Sequence, residues 1–352
     1  MKKIRVLIID DSALVRDILQ KGLSADPGLE VVGTAPDVYV GRNMIVELRP
    51  DVLTLDIEMP KMDGIEFLRR LMPQYPIPVV VVSSLTQRGK EITMQALEAG
   101  AVDFVPKPTA DIARGLSDMM LELRTKIKIS SNANVAHWKN KRFESNASNK
   151  YFANKALSES TDKVIAIGAS TGGTEAIKKV ITDLPPSSPG IVIVQHMPPG
   201  FTKTFAERLN ETIMMQVKEA EHGDRIVTGR VLIAPGDFHM RVVRRGGQYL
   251  VELDQQEKVS GHRPSVDVLF NSVAQHVGSN AYGVILTGMG SDGAKGLKAM
   301  RDAGAKTIGQ DELSCVVYGM PKVAYEMGGV QRQIRLDKMT QEIINLYSKD
   351  RV

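Results

Sequence analysis

The pattern that most limits how this chain can fold is a recurrence of short apolar runs. Each run ends on a polar residue and is followed by a stretch with helical spacing. Early in the chain the runs are residues 6–9, 29–32, 52–55, 79–82 and 102–105. Between them, apolar residues such as Leu14, Ile18, Leu19 and Leu23, or Ile65, Leu68, Leu71 and Met72, recur at the three-to-four-residue interval of an amphipathic helix. A strand covered by helices on both faces has no polar side, so it reads as an uninterrupted apolar run. Residues 1–124 are therefore expected to form a five-stranded, doubly wound parallel α/β domain with its working groups at the C-terminal strand ends.

Those ends carry charge. Asp10 and Asp11 follow the first run, Asp56 the third, Ser83 and Ser84 the fourth, and Lys107 the fifth. Three carboxylates brought to one edge repel one another unless a lysine or a hard cation sits among them. Asp10, Asp11 and Asp56 are thus candidate ligands for Mg²⁺, which takes a few protein oxygens and retains water. Asp56 is the candidate nucleophile toward a phosphoryl donor, and Lys107 the neutralising charge. Each aspartate alone reads equally well as a helix cap, and it is the set that carries the reading.

In these residues the domain closely resembles the receiver domain of two-component response regulators. The resemblance rests on Asp10-Asp11, on Asp56 within Leu55-Asp56-Ile57-Glu58-Met59-Pro60, on Ser83, and on Lys107-Pro108, and it spans residues 3–122. It implies phosphotransfer from a histidine kinase to Asp56, movement of Ser83 toward the new phosphoryl group, and Phe104 at an aromatic switch position. A receiver says nothing about what is switched.

Charge divides unevenly along the chain. Lys and Arg against Asp and Glu number 15 and 18 in residues 1–124, 7 and 2 in 125–160, and 23 and 21 in 161–352, giving nets of −3, +5 and +2. The basic excess sits in one short segment, and neither long segment has the bias a nucleic-acid footprint requires. Residues 125–160 repeat Asn, Ser, Lys and Ala around a lone Trp138 and Phe143, and are expected to be a flexible basic linker between two domains. Cys315 is the only cysteine, which leaves no intrachain disulfide and no thiolate cluster for zinc. The apolar run after Met1-Lys2-Lys3 reaches Asp10 too soon for a signal peptide or a membrane span, and a cytoplasmic location is expected.

Residues 161–349 begin a second α/β pattern, with runs at 164–167, 191–194, 231–234 and 284–286 and a hairpin pairing 240–243 with 249–253 across Gly246-Gly247. Three polar residues close three of its runs. Ser170 lies in Gly168-Ala169-Ser170-Thr171-Gly172-Gly173, His196 in Gln195-His196-Met197-Pro198, and Asp292 in Thr287-Gly288-Met289-Gly290-Ser291-Asp292-Gly293. A parallel sheet would gather them on one edge, where an imidazole can take the serine proton and a carboxylate can hold the imidazole. Other readings stand beside this one. The glycine-rich turn could cradle a phosphate, although it lacks Gly-x-Gly-x-x-Gly and a Walker lysine. Asp292 could cap a helix, and His239 or His262 could compete with His196. Zinc hydrolysis lacks a His-x-x-x-His pair.

Here too a family is recognisable. With Ala234-Pro235-Gly236 and Gly261-His262-Arg263-Pro264-Ser265, these motifs are similar to the catalytic domain of chemotaxis protein-glutamate methylesterases, the response regulators that demethylate chemoreceptors. The resemblance implies Ser170 as nucleophile, His196 as base and Asp292 as its orienting carboxylate, with backbone N–H groups of Thr171 and Met289 facing the oxyanion. It further implies hydrolysis of glutamate γ-methyl esters on methyl-accepting chemotaxis proteins, secondary deamidation of receptor glutamines, and no cofactor for the ester step. Activation by phosphorylation and peripheral association with receptor arrays, without membrane insertion, follow from the same resemblance. Arg263 and His262 could help recognise acidic neighbours of the substrate glutamyl group, and a helix-start or solvent-facing role stands equally beside that reading.

Overall fold

All five apolar runs of the first domain are strands in the computed structural model, which describes residues 2–59, 63–108, 112–141 and 162–348. β1 (Ile4–Ile9), β2 (Leu29–Ala35), β3 (Val52–Leu55), β4 (Val79–Ser83) and β5 (Asp103–Pro106) form one sheet in the order β2-β1-β3-β4-β5. Every neighbouring pair is parallel. Val6, Ile8, Val52, Val80, Val82 and Val105 of the sheet pack on Leu19 and Leu23 of helix Ala13–Ser24 and on Met119, Leu123 and Ile127 of helix Ile112–Ser130. Asp63 is an ordinary cap, its side chain accepting from the Ile65 N–H at 2.9 Å to start helix Gly64–Gln74. Asp56 also accepts locally, from the Glu58 N–H at 3.0 Å, but caps no described helix.

The chain forms two units, Met1–Ser145 and Asn146–Val352. Residues 125–141 pack on the first unit rather than forming the solvated hinge expected there. Helix Ile112–Ser130 runs past residue 124, Ile127 is fully buried, and Trp138 is 4 % exposed with its ring against Gly100. Ile127, Val135 and Trp138 are too widely spaced to show as a periodic face in the sequence. Residues 142–160 of the expected linker lie outside the described residues, as does Pro60 of the acceptor motif.

In the second unit, β6 (Val164–Ala169), β7 (Gly190–Gln195), β8 (Gln216–Glu219) and β9 (Arg230–Ile233) precede a hairpin of β10 (His239–Arg245) and β11 (Gln248–Asp254). β12 (Ala281–Ile285), β13 (Lys306–Gln310) and β14 (Arg332–Ile334) follow. Seven of these make a sheet in the order β14-β13-β12-β6-β7-β9-β8, and each neighbouring pair is parallel. The hairpin is antiparallel and turns at Gly246 and Gly247, both at positive φ. Helix Val266–His276 fills the space between hairpin and sheet, with Leu269, Phe270 and Val273 in one core with Val194, Met240 and Val251.

In both sheets the chain reverses its direction of growth beside the first strand. The crevice opens between β1 and β3 in one unit and between β6 and β12 in the other. Ligands bind parallel sheets at such reversals, beyond the C-terminal strand ends.

Candidate active site

The β6/β12 crevice holds the serine, the histidine and the aspartate together. Ser170 follows β6, with its N–H donating to Thr287 O at 3.0 Å across the crevice. His196 follows β7, and its N–H donates to Ala169 O at 3.2 Å, so serine and histidine stand at adjacent strand ends. Gly288 makes the approach of the β12 loop possible. A Cβ there would lie 2.7 Å from Ser170 Cβ, closer than two side chains can come. Gly172, at φ +76°, then turns the chain into helix Gly173–Thr182.

His196 Nε2 and Asp292 Oδ2 are 2.8 Å apart, with the two side chains 7 % and 2 % exposed. Asp292 also accepts from Ser265 Oγ at 2.7 Å, from the Val266 N–H at 2.7 Å and from the Asp267 N–H at 3.1 Å. Burial alone would raise its pKa, but the hydrogen bond and charge of His196, with those from Ser265 and Val266, outweigh burial and hold it below the ordinary carboxylate value. Asp292 is therefore an acceptor, and His196 carries its proton on Nε2 when neutral. That leaves Nδ1 with a lone pair, and this nitrogen is buried with no hydrogen-bond partner among the described residues.

Thr171 is buried, its carbonyl accepting from Thr287 Oγ1 at 3.0 Å, while Met289 is 48 % exposed. The Gly288 N–H is occupied by Val317 O at 3.0 Å, so Met289 holds the next N–H along that loop.

The β1/β3 crevice of the first unit gathers the other group. Ligand oxygens of Asp10, Asp11 and Asp56 lie within 4.8 Å of one another, with Asp10 and Asp56 buried and Asp11 exposed. Lys107 Nζ is 2.6 Å from Asp56 Oδ2 and 3.3 Å from Asp10 Oδ2. Burial works against its charge, but the hydrogen bond and attraction of Asp56, followed by Asp10, outweigh it and raise its pKa. Burial also raises the pKa of Asp10, with Lys107 pulling down and Asp56 pushing up. The three carboxylates offer hard oxygen donors, and exposed Asp11 leaves room for retained water, a donor set that fits a divalent cation such as Mg²⁺. Ser83 is fully buried and hydrogen-bonded to Thr93 Oγ1 at 2.7 Å, and Phe104 is buried with Lys126 Nζ 5.1 Å from its ring centroid.

A family model described as CheB methylesterase matches residues 165–343, and one described as response regulator receiver domain matches residues 6–114. A protein-glutamate methylesterase/protein-glutamine glutaminase of Syntrophotalea carbinolica is 65% identical over 351 residues, 100% of this chain and 99% of the relative. The chain belongs to the CheB methylesterase family. A relative of the same description from Sulfurimonas denitrificans is 55% identical over 348 residues, covering 98% of this chain and 99% of its own. The Thermotoga maritima CheB methylesterase catalytic domain superposes with a TM-score of 0.51 at 42% identity, covering 52% of this chain and 98% of that domain.

Against this CheB-type framework, two expectations change. His239 does not compete for the site: it is fully buried, Nδ1 accepts from the Ser265 N–H at 3.3 Å, and Nε2 bonds Glu257 O at 3.0 Å. Arg263 is engaged within the chain, with Nε and Nη2 on Asp237 and Nη1 donating to Gln255 O and Gln256 O at 2.8 Å each. Two residues of the site were not singled out by the sequence reading. Ser265 holds Asp292 and caps helix Val266–His276, and a serine directly before an apolar helical stretch was the available signal. Gln195 Nε2 donates to Ser170 O at 3.0 Å and to His196 O at 3.3 Å, joining the two strand ends. Nothing in the sequence distinguishes that glutamine from a strand residue.

Proposed function

We propose that Ser170, His196 and Asp292 carry out the protein-glutamate methylesterase and protein-glutamine glutaminase activity of this family on methyl-accepting chemoreceptors, under control of the receiver domain. The observation that carries the reading is the buried, unpartnered Nδ1 of His196, on a ring whose other nitrogen is held by Asp292 at 2.8 Å beside Ser170. Ser170 Oγ attacks the γ-carbonyl as its proton passes to Nδ1, and Asp292 stabilises the imidazolium. The N–H groups of Thr171 and Met289 face the oxyanion. Methanol leaves with the Nδ1 proton, or ammonia when the substrate is an amide. Water, deprotonated by Nδ1, then releases the glutamate and restores the serine.

On the receiver side, Asp56 accepts the phosphoryl group from a histidine kinase. Asp10, Asp11 and Asp56 would hold Mg²⁺, which offsets the charge of the transferring phosphoryl oxygens. Lys107 stays paired with the acyl phosphate, Ser83 leaves Thr93 to reach it, and Phe104 responds to the vacated space. The added charge, about −1.5 to −2, is large enough to reorganise that edge. No helix among the described residues is long and apolar enough to cross a membrane. A cytoplasmic protein recruited peripherally to receptor arrays fits this reading.

The test is methanol release from receptor membranes carrying labelled methyl esters, with and without a small phosphodonor. Ser170→Ala is expected to lower turnover by about 10⁴-fold, as in other serine triads. Full release by that variant would overturn the assignment.

A further inference from the structure

The face of the His196 ring is covered by a second imidazole. His262 lies parallel to it, with centroids 3.8 Å apart and an interplanar angle of 10°. Asp292 fixes one nitrogen of His196, but a single hydrogen bond does not by itself stop the ring from swinging about it. A swing of that kind would carry Nδ1, which no other bond restrains, away from the serine. A flat group pressed against the ring face removes this freedom, because tilting the imidazole would open the contact or drive the two rings together.

The segment that presents His262 is anchored far more firmly than its exposure calls for. Residues 255–261 are all exposed and lie outside the named strands and helices. Even so, Arg263 donates to the carbonyls of Gln255 and Gln256 and grips Asp237, and His239 reaches Glu257 O from below. Val259 and His262 exchange both backbone hydrogen bonds, at 3.1 and 2.9 Å, around a turn in which Ser260 and Gly261 take positive φ. Immediately beyond, Ser265 binds the same aspartate that holds His196. One short stretch thus supplies both the edge restraint on the base, through Ser265 and Asp292, and the restraint on its face.

We infer that His262 is a positioning residue for the hydrolytic reaction, fixing the plane of the His196 imidazole so that Nδ1 is presented to Ser170. The inference rests on the roles assigned above to Ser170 and His196. What it requires of residue 262 is a flat ring of this size and not a titratable nitrogen, so a phenyl ring should do the same work. Recognition of acidic substrate neighbours, one of the roles left open by the sequence, would instead require the imidazole itself and would act through substrate binding.

The experiment uses the full chain and two readouts. One is the rate at which a small fluorophosphonate modifies Ser170, measured by intact mass, which depends on the base but not on receptor binding. The other is kcat and KM for methanol release from methylated receptor membranes. With rates expressed per folded molecule, His262→Ala is expected to slow fluorophosphonate modification and kcat by about tenfold or more, with KM within about twofold. His262→Phe is expected to return both rates to within about threefold of the parent. The inference is overturned if His262→Ala reacts with the probe as fast as the parent, if His262→Phe is as slow as His262→Ala, or if the loss appears in KM with kcat unchanged. If the parent chain itself is not modified at Ser170, the nucleophile assignment fails and takes the inference with it.

Discussion

Asp10 and Asp292 occupy the same kind of place, at the C-terminal edge of a parallel sheet where its growth reverses, and both side chains are 2 % exposed. Their acidities nevertheless move in opposite directions. Asp10 is raised, because burial is opposed by Lys107 but reinforced by the neighbouring Asp56. Asp292 is lowered, because burial is outweighed by His196, Ser265 and Val266. Burial alone therefore decides little; the neighbours decide the sign. Asp292 has its donors built in and stays a fixed anion, whereas the Asp10 cluster is left short of positive charge, a fitting state for a site able to hold a divalent cation.

This contrast can be broken in four ways. The largest effect is expected from Asp292→Asn, which keeps the shape but removes the anion. The His196 tautomer is then no longer dictated, and turnover should fall by about 10³- to 10⁴-fold in the methanol assay. Removal of divalent metal separates the two crevices most cleanly. Chelation should abolish phosphodonor stimulation, read as radiolabel on Asp56, while unstimulated hydrolysis stays within about twofold. Parallel loss of both would place a metal requirement in the esterase site and end the comparison.

Smaller effects sharpen it. Ser265→Ala removes one of three non-histidine donors from Asp292 and also the helix cap, so it should cost about 1–2 kcal/mol in denaturant unfolding and about tenfold in turnover. The smallest expected effect is the acid response of the two aspartates. A raised carboxyl pKa in the folded state binds protons the unfolded chain would release, so Asp10 costs stability at neutral pH. That cost disappears as pH falls through its folded pKa. Asp10→Asn should raise the first unit's unfolding midpoint by a few degrees at pH 7, with the gain fading toward pH 4. Asp292 has the opposite sign. Its contribution is complete above the ordinary carboxylate range and is lost as pH falls through the lowered folded value, so Asp292→Asn should flatten the acid limb of the second unit.

The comparison also explains what the sequence discloses. Buried central strands such as β1, β3, β4, β6 and β7 are dominated by apolar residues, Arg5 and Thr54 being the interior exceptions, and stand out, and so do the polar residues that end or follow them. β8, β13 and β14 carry no such signal. Gln216–Glu219 and Arg332–Ile334 are short, polar strands at the two sheet margins, and Lys306–Gln310 is broken by Gly309 and carries polar residues buried by side-chain hydrogen bonds. In the site, the groups at strand ends were legible because topology alone brings them together. His262 and Arg263 were visible as a motif but their directions were not, since these depend on how the exposed segment folds back on Asp237, Gln255 and Gln256.

The amide of Gln195 has a mechanical consequence. Because one rigid planar group spans the backbone of both Ser170 and His196, a flexing of either strand tip drags the other with it. On the proposed mechanism, attacking oxygen and proton acceptor would ride on a common carriage.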